Sequence, residues 1–395
     1  MRKALEGVKI LDFTKVYSGP YCTMLMADMG AEVIKVETSG KGDDTRAFAP
    51  IKDGVSAYYN YLNRNKKSIT LDLKSEEGRK VALDLAKWAD IIVENFAAGT
   101  IGKLGLGYED VIKVNPEIIY ASISGFGQYG PYKDKLAYDA IAQAMGGLTS
   151  LSGLPGVKPT KVTPALSDAI TGIHMAFAIM VAAFHKQKTG EGQYIDVAMM
   201  DVVFSVLEGY VTMETLLGAN PQRIGNASMA AVPYDIYQAK DNYIVIGAPN
   251  DSLFVKLAKA MKREDLLEDS RFNTNLVRIK NRAAIDAIIN EWAAQFTVAE
   301  IEAMLNAARI PVAPIKSIAE LVKDPGIAAR EMLIEHDNPV HGKVKYPGNP
   351  LKLQKTPPDT SKRAPLLGEN TEEILKSILG YSQESIDKLK KNKAV

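Results

Sequence analysis

The chain has 395 residues, 46% of them hydrophobic, with 48 Lys+Arg against 47 Asp+Glu and a formal net charge of +1. That balance, with no basic stripe interleaved with aromatics, argues against nucleic-acid binding, and the length suggests about two domains. The single cysteine, Cys22, excludes an internal disulfide and a multi-cysteine zinc site, and fits a reducing compartment.

The opening residues MRKALEGVKILDF lack a long apolar run and a small-residue cleavage site, so no signal peptide is expected. Residues 8–13 predict a strand, Ser18-Gly19-Pro20 a turn, residues 21–29 a helix and residues 31–37 a second strand. Such a short crossover favours parallel strands joined right-handedly. Residues 68–73 alternate like a strand. Residues 75–88 predict an amphipathic helix with Val81, Leu85 and Trp88 on one face and Ser75 as its N-cap. Residues 90–94 and 118–124 predict further strands, and repeated strand–helix units imply a doubly wound parallel sheet.

The longest apolar stretch, residues 169–184, is shorter than the roughly 20 residues of a membrane span. It predicts a buried helix over 168–188, in a soluble, cytoplasmic protein with no membrane partner. A strand over 194–198 and a helix over 201–217 follow. Gly218-Ala219-Asn220-Pro221 and residues 225–231 then break the pattern and mark a linker. Beyond it a second unit carries a strand over 242–247 and helices near 253–261, 282–292 and 298–307. Pro-rich connectors (Pro347, Pro350, Pro357, Pro358, Pro365) lead to short helices near 372–379 and 385–391. Asn370 and Glu373 have the spacing of a cap and its partner, and Lys388, Lys390, Lys391 and Lys393 read as a solvated helix end.

No GxGxxG follows the first strand, and neither GxxxxGK[ST] nor GxSxG occurs, so nicotinamide, nucleotide-triphosphate and serine-hydrolase sites are not signalled. The four histidines make no HExxH. His174 reads as a packed helix residue, His185 as a helix-end cation, and His336 and His341 as surface positions. Carboxylates remain. Asp168, just ahead of the apolar helix, reads either as an N-cap or as a carboxylate aimed into a cleft at a helix start, where the dipole favours an anion; the two are compatible. Glu94-Asn95-Phe96 and Ser124-Gly125-Phe126-Gly127 end predicted strands, where open α/β sheets bind ligands. Residues 63–67, NRNKK, read as a solvated turn unless the cleft holds phosphates.

Ten segments carry a resemblance, among them LEGVKILDFTKVYSGPYCTMLMADMGAEVIKVE, NRNKKSITLDLK, ADIIVENF, NPEIIYASISGFGQYGP, AYDAIAQAMGG, ALSDAITGIHMA and APLLGEN. They run from Leu5 to about Asn370 in one order, and the chain resembles the class III CoA-transferases, the group of formyl-CoA transferase and carnitine CoA-transferase. The resemblance implies a Rossmann-like large domain built from both chain ends, a smaller α+β middle domain and an interlocked homodimer. On this sequence that means residues 1–220, 221–330 and a return over 331–395.

It also implies that Asp168 attacks an acyl-CoA thioester and carries CoA as an aspartyl thioester before a free carboxylic acid takes it. Coenzyme A is then a substrate, with no resident cofactor and no metal. Exchanging one thioester for another is near-balanced, which suits the missing ATP motif, and a carboxylate nucleophile needs no histidine base. The resemblance places Val16, Tyr17, Leu71, Lys74, Asn95, Phe96 and Lys103 around CoA, and Asp139 near its pantetheine arm.

There are departures. Thr38 stands where some relatives have an arginine, whose role is expected to be absent or moved to Arg46. GENT replaces GEHT at Asn370. The glycine flap of formyl-CoA transferase is missing or shortened to residues 225–231. Tyr138 stands where related acyl-CoA racemases have a histidine base, which disfavours racemisation. A non-catalytic CoA-binding protein, with Asp168 only a cap, is the remaining alternative.

Overall fold

The computed structural model describes residues 3–340 and 342–395, so the reading of His341 lies outside the described residues. By its contacts the chain divides into two compact units. Met1–Leu148, Lys161–Val211 and Pro325–Val395 form the first, and Thr149–Thr160 with Thr212–Asp324 the second. These bounds differ by several residues from those read off the sequence, and residues 149–160 group with the second unit.

The first unit is organised on β1 (Lys9–Asp12), β2 (Glu32–Thr38), β3 (Lys67–Leu71), β4 (Ile91–Glu94), β5 (Ile119–Ser124) and β6 (Tyr194–Ala198). They form one parallel sheet in the spatial order β3-β2-β1-β4-β5-β6. The chain starts in the middle, builds outward to β3, then jumps back to β4, so the strand order reverses between β1 and β4. That reversal opens a crevice at the carboxyl ends of the strands, where doubly wound sheets hold their ligands.

Alternation along the strands feeds two cores. Leu11, Ile34, Ile69 and Ile92 face one side; Ile10, Val33, Ile91 and Ile119 face the other. Over the second face lie α1 (Ser18–Asp28), through Cys22 and Met26, and the long helix described below. α2 (Ala57–Leu62) precedes β3, and α3 (Glu76–Trp88) covers the first face with Val81 and Leu85. Ser75 caps α3 as expected, accepting from the Gly78 amide at 3.0 Å. α4 (Asp139–Met145) leads towards the site.

α5 (Leu166–Thr189) is longer than the sequence suggested and only one of its faces is buried. Thr171, Gly172, Met175, Ile179 and Ala182 pack inward, whereas Ile173, Phe177, Val181 and Phe184 are exposed. Its length and apolarity would suffice to cross a membrane, yet its inward face lies in the core over the sheet. The continuous helix expected over 201–217 is α6 (Met199–Ser205) and α7 (Tyr210–Leu217), broken where Glu208 takes φ 51°.

The second unit holds an antiparallel sheet in the order β9-β8-β7, made by β7 (Tyr234–Gln238), β8 (Tyr243–Gly247) and β9 (Val312–Pro314). α8 (Asp251–Ala260), α9 (Arg282–Ala293) and α10 (Val298–Ala307) pack on it around Phe254, Leu257, Ile289 and Leu305. In the first unit the returning chain forms the hairpin β10 (Leu333–Asn338) and β11 (Gly342–Pro347), then α11 (Gln383–Lys391). Ile374, Leu375, Ile386 and Leu389 join the core that α3 covers.

Three local readings need correction. Residues 63–67 are not a solvated turn: Asn63, Arg64 and Lys66 are buried, Arg64 paired with Asp28 at 2.6 Å and Lys66 with Asp12 at 3.0 Å. His336 is buried, its Nε2 2.6 Å from the Thr360 carbonyl oxygen. Asn370 does occupy the N-cap position and its Nδ2 donates to Glu373 at 3.0 Å, but its side chain caps no helix amide; its Oδ1 accepts from the Ser68 amide at 3.1 Å, tying the returning chain to β3.

Candidate active site

A cavity of about 230 Å³ opens at the strand reversal. Lys15, Val16 and Tyr17 follow β1, Asn95 and Phe96 follow β4, and Ser124 and Gly125 end and follow β5. Asp168 enters from the first turn of α5, and Lys133, Lys135 and Tyr138 also line the cavity. The larger hollow of about 630 Å³ beside Lys3, Asn349 and Asp359 gathers no strand ends of the parallel sheet and none of the candidate site residues named above.

The loop after β1 is held in an unfavourable conformation. Val16, β-branched, has φ 67°, a region such residues avoid at a cost of about 1–3 kcal/mol. Side chains from below and beside fix it there. The Lys35 ammonium, fully buried, donates to the Thr14 carbonyl at 2.7 Å and pairs with Asp43 at 2.9 Å. Asp43 in turn accepts from the Val16 amide at 3.3 Å. Asn95 clamps Lys15 from both sides, accepting from its amide and donating to its carbonyl, each at 2.7 Å. Beneath the loop, Asp12 accepts from Thr14, Thr23 and Lys66. Burial alone would raise the Asp12 pKa, but Lys66, Lys35 and the two threonines outweigh it and bring it down to about 2.

Asp168 is not an N-cap. The cap position is Ala165, which makes no side-chain cap bond, and Asp168 is the third residue of α5. The amide and hydroxyl of Ser18, the first residue of α1, lie close to its carboxylate and favour its charged form. Two helix N-termini therefore converge on one carboxylate, where their dipoles favour negative charge. Gly172 permits this approach: a Cβ there would lie 2.6 Å from the Ser18 carbonyl oxygen. Even so, burial first and the nearby Asp139 second push the Asp168 pKa up to about 7, against the pull of Ser18.

Asp139 does not line the cavity. It is buried behind Asp168, at the first residue of α4, and accepts from the Ser167 amide at 3.0 Å, the Ser167 hydroxyl at 2.7 Å and Gln143 at 2.9 Å. It acts on Asp168 through charge.

An aromatic wall stands beside the nucleophile position. Tyr17 stacks on Tyr21 with ring centroids 5.5 Å apart, Tyr58 lies 6.1 Å from Tyr17, and Phe48 lies 5.9 Å from Tyr58. Burial, then the charges of Asp168, Tyr61 and Asp139, raise the Tyr58 hydroxyl to about 12, so it stays a neutral donor. Sequence reasoning missed Ser18, Tyr58 and Tyr61. The available signals were the serine opening the predicted Ser18-Gly19-Pro20 turn and the Tyr58-Tyr59-Asn60-Tyr61 run.

A second cavity of about 260 Å³ adjoins the first, with Phe13, Leu71, Phe96, Leu104 and Lys74 among its lining residues; Lys15 and Phe96 line both. Leu71, Lys74, Phe96, Val16, Tyr17 and Asn95 are thus brought to one contiguous trough. Lys103 is exposed and lines neither cavity. Arg46 is committed elsewhere: its guanidinium forms a two-pronged pair with Glu37 at 2.6 and 2.7 Å and lies 3.7 Å over the Tyr59 ring. Among the described residues no group of three or more His, Cys, Asp or Glu is arranged to hold a metal ion.

The profile of CoA-transferase family III matches residues 5–371. The chain is 37% identical over 389 residues to a human succinyl-CoA:glutarate CoA-transferase, covering 98% of this chain and 89% of that protein. It is 40% identical over 382 residues to a succinyl-CoA:mesaconate CoA-transferase of Haloarcula hispanica, with 94% and 96% covered. Among solved structures, a CAIB/BAIF family protein from Brucella suis superposes with a TM-score of 0.85 at 35% identity, covering 96% of this chain and all of that one. A parallel sheet reversing at a carboxylate-bearing trough and a profile match over nearly the whole length lead to one assignment: the chain belongs to CoA-transferase family III and is a CoA-transferase.

Proposed function

We propose that the enzyme transfers CoA between dicarboxylic acids, from succinyl-CoA to a second short diacid, through a covalent intermediate on Asp168. The observation that carries the mechanism is the Asp168 carboxylate itself, lining the cavity where two helix starts converge, with burial raising its pKa to about 7. A carboxylate of raised basicity is the better nucleophile at neutral pH. The dicarboxylate reading rests on the relatives, whose names specify succinyl-CoA with glutarate, mesaconate or D-citramalate.

In the first half, Asp168 attacks the thioester carbonyl. The C–S bond breaks, giving a mixed anhydride and CoA thiolate. The thiolate then attacks the aspartyl carbonyl, releasing the donor as a free carboxylate and leaving CoA on Asp168. In the second half the acceptor carboxylate attacks this thioester and expels thiolate, which returns to the acceptor's acyl carbon; acceptor-CoA and free Asp168 result. Each addition places negative charge on an oxygen next to Asp168. The Ser18 amide and the neutral Tyr58 hydroxyl are the nearby donors for that charge.

The apolar trough beside Leu71 and Phe96, with Lys74 at its rim, suits the adenosine end of CoA, with Val16, Tyr17 and Asn95 beneath the pantetheine arm. Asn95 spends its amide on Lys15, so its part there is to fix the loop. Lys103 stays in the proposal only as an outer phosphate contact. Racemisation is disfavoured because, among the described residues, no histidine lines the Asp168 cavity.

The exposed apolar face of α5, with Phe177 and Phe184, supports a homodimer in which a second copy covers it. The unpaired, buried Cys22 supports work in a reducing compartment, the cytoplasm. The central test is to incubate the enzyme with succinyl-CoA, quench with hydroxylamine and map the modification by mass. A label on Asp168 is expected. An unlabelled Asp168, with full transfer by Asp168→Ala, would sink the mechanism.

A further inference from the structure

Resting on that reading of the cavity, we infer that Lys133 and Lys135 anchor the distal carboxylate of the dicarboxylic substrates and so set the enzyme's preference for diacids over monoacids. Both lysines line the Asp168 cavity, two residues apart on the segment between β5 and α4, while Asp134 between them does not line it. Neither ammonium has a carboxylate partner among the described ion pairs, in contrast to Lys35 and Lys66 beneath the loop. Lys135 instead lies 4.5 Å over the Tyr132 ring.

The charge history of the reaction explains why a standing cation is needed here. The acceptor's reacting carboxylate loses its charge to the thiolate when the anhydride forms, and Asp168 regains that charge when the thiolate makes the acceptor thioester. The distal carboxylate of a diacid is not consumed. It stays negative through every step, in a cavity whose own carboxylates, Asp44 and Asp168, repel it. The Lys133 and Lys135 ammonium groups, lining the same cavity without a carboxylate partner among the described ion pairs, offset this repulsion and hold the distal end of the diacid. A monoacid has nothing to offer them.

The test uses the full-length enzyme with acetyl-CoA as donor, whose acyl group has no distal charge, and glutarate or butyrate as acceptor. The double variant Lys133→Gln/Lys135→Gln is compared with wild type and with Lys133→Arg/Lys135→Arg. One charge-assisted hydrogen bond in a half-enclosed cavity is worth roughly tenfold in affinity. The kcat/KM ratio of glutarate over butyrate is therefore expected to fall at least about tenfold in the Gln pair, mainly through the KM for glutarate, and to recover in the Arg pair. Raising the salt concentration should raise the wild-type KM for glutarate more than that for butyrate. An unchanged ratio overturns the inference. So does a rise in the KM for acetyl-CoA that is the same with either acceptor, which would assign the lysines to CoA phosphates. Failure of the wild type to transfer CoA with any pair would refute the proposed function instead, a distinguishable result.

Discussion

Replacing Asp168 by asparagine should make the folded protein more stable while abolishing transfer, and the gain should depend on pH in a defined direction. The folded carboxyl titrates at about 7 against 3.8 for the ordinary group. Between those values the folded state holds a proton that the unfolded chain releases, so wild-type stability falls as pH rises from about 4 to 7 and is flat above. That difference between the folded and unfolded carboxyl corresponds to about 4 kcal/mol. Water reaching the partly exposed carboxyl screens its charge and reduces this to about 2 kcal/mol. The amide of the Asp168→Asn variant does not titrate, so the variant's advantage should be small at pH 4.5 and full at pH 8.5. Urea unfolding of both proteins at the two pH values measures it. An advantage that is constant with pH, or that shrinks towards pH 8.5, would refute the view that this site stores strain as a desolvated charge.

The same carboxyl must be ionised to attack, so kcat/KM should drop about tenfold per unit below pH 7. Ser18→Ala, which removes a hydroxyl that favours the anion, should move that limb to higher pH, and Asp139→Asn should move it lower. Gly172→Ala should push α1 off α5, lowering stability by about 1–3 kcal/mol and activity with it, read by thermal unfolding and steady-state rates. Asn95→Ala loses both bonds to Lys15 and should raise the KM for acyl-CoA while stability falls by about 1–3 kcal/mol. Phe177→Lys should shift the species seen by light scattering towards the monomer if the α5 face is an interface.

The parallel sheet is readable because its strands are short apolar runs closed by polar turns, a pattern that survives without knowledge of partners. The order of those strands is not in the pattern; that Asn95 and Lys15 meet depends on β4 returning beside β1. Residues 63–67 mislead because polarity predicts exposure only for groups without a buried counter-charge, and Asp28 and Asp12 lie 36 and 54 positions earlier in the chain than their partners Arg64 and Lys66. The sequence pattern starts α5 two residues late because Asp168 reads as its cap; what fixes Ser167 inside the helix is Asp139, bound to it from another helix. Asp168 stands out only by its place before an apolar helix, and its raised pKa comes from neighbours that no local window contains.

The tie between the returning chain and β3 bears on how the enzyme is made. Ser68 bonds Asn370, and the Asp72 amide bonds the Ala394 carbonyl at 2.9 Å. β3 and the turn after it supply Leu71 and Lys74 to the apolar trough. During synthesis, then, the Asp168 side of the cleft can assemble from earlier residues, while the trough wall waits for residues 370–394 to emerge. A nascent or proteolytically trimmed chain would carry a nucleophile without a finished seat for CoA, so the enzyme gains its grip on the thioester only once the returning segment has docked.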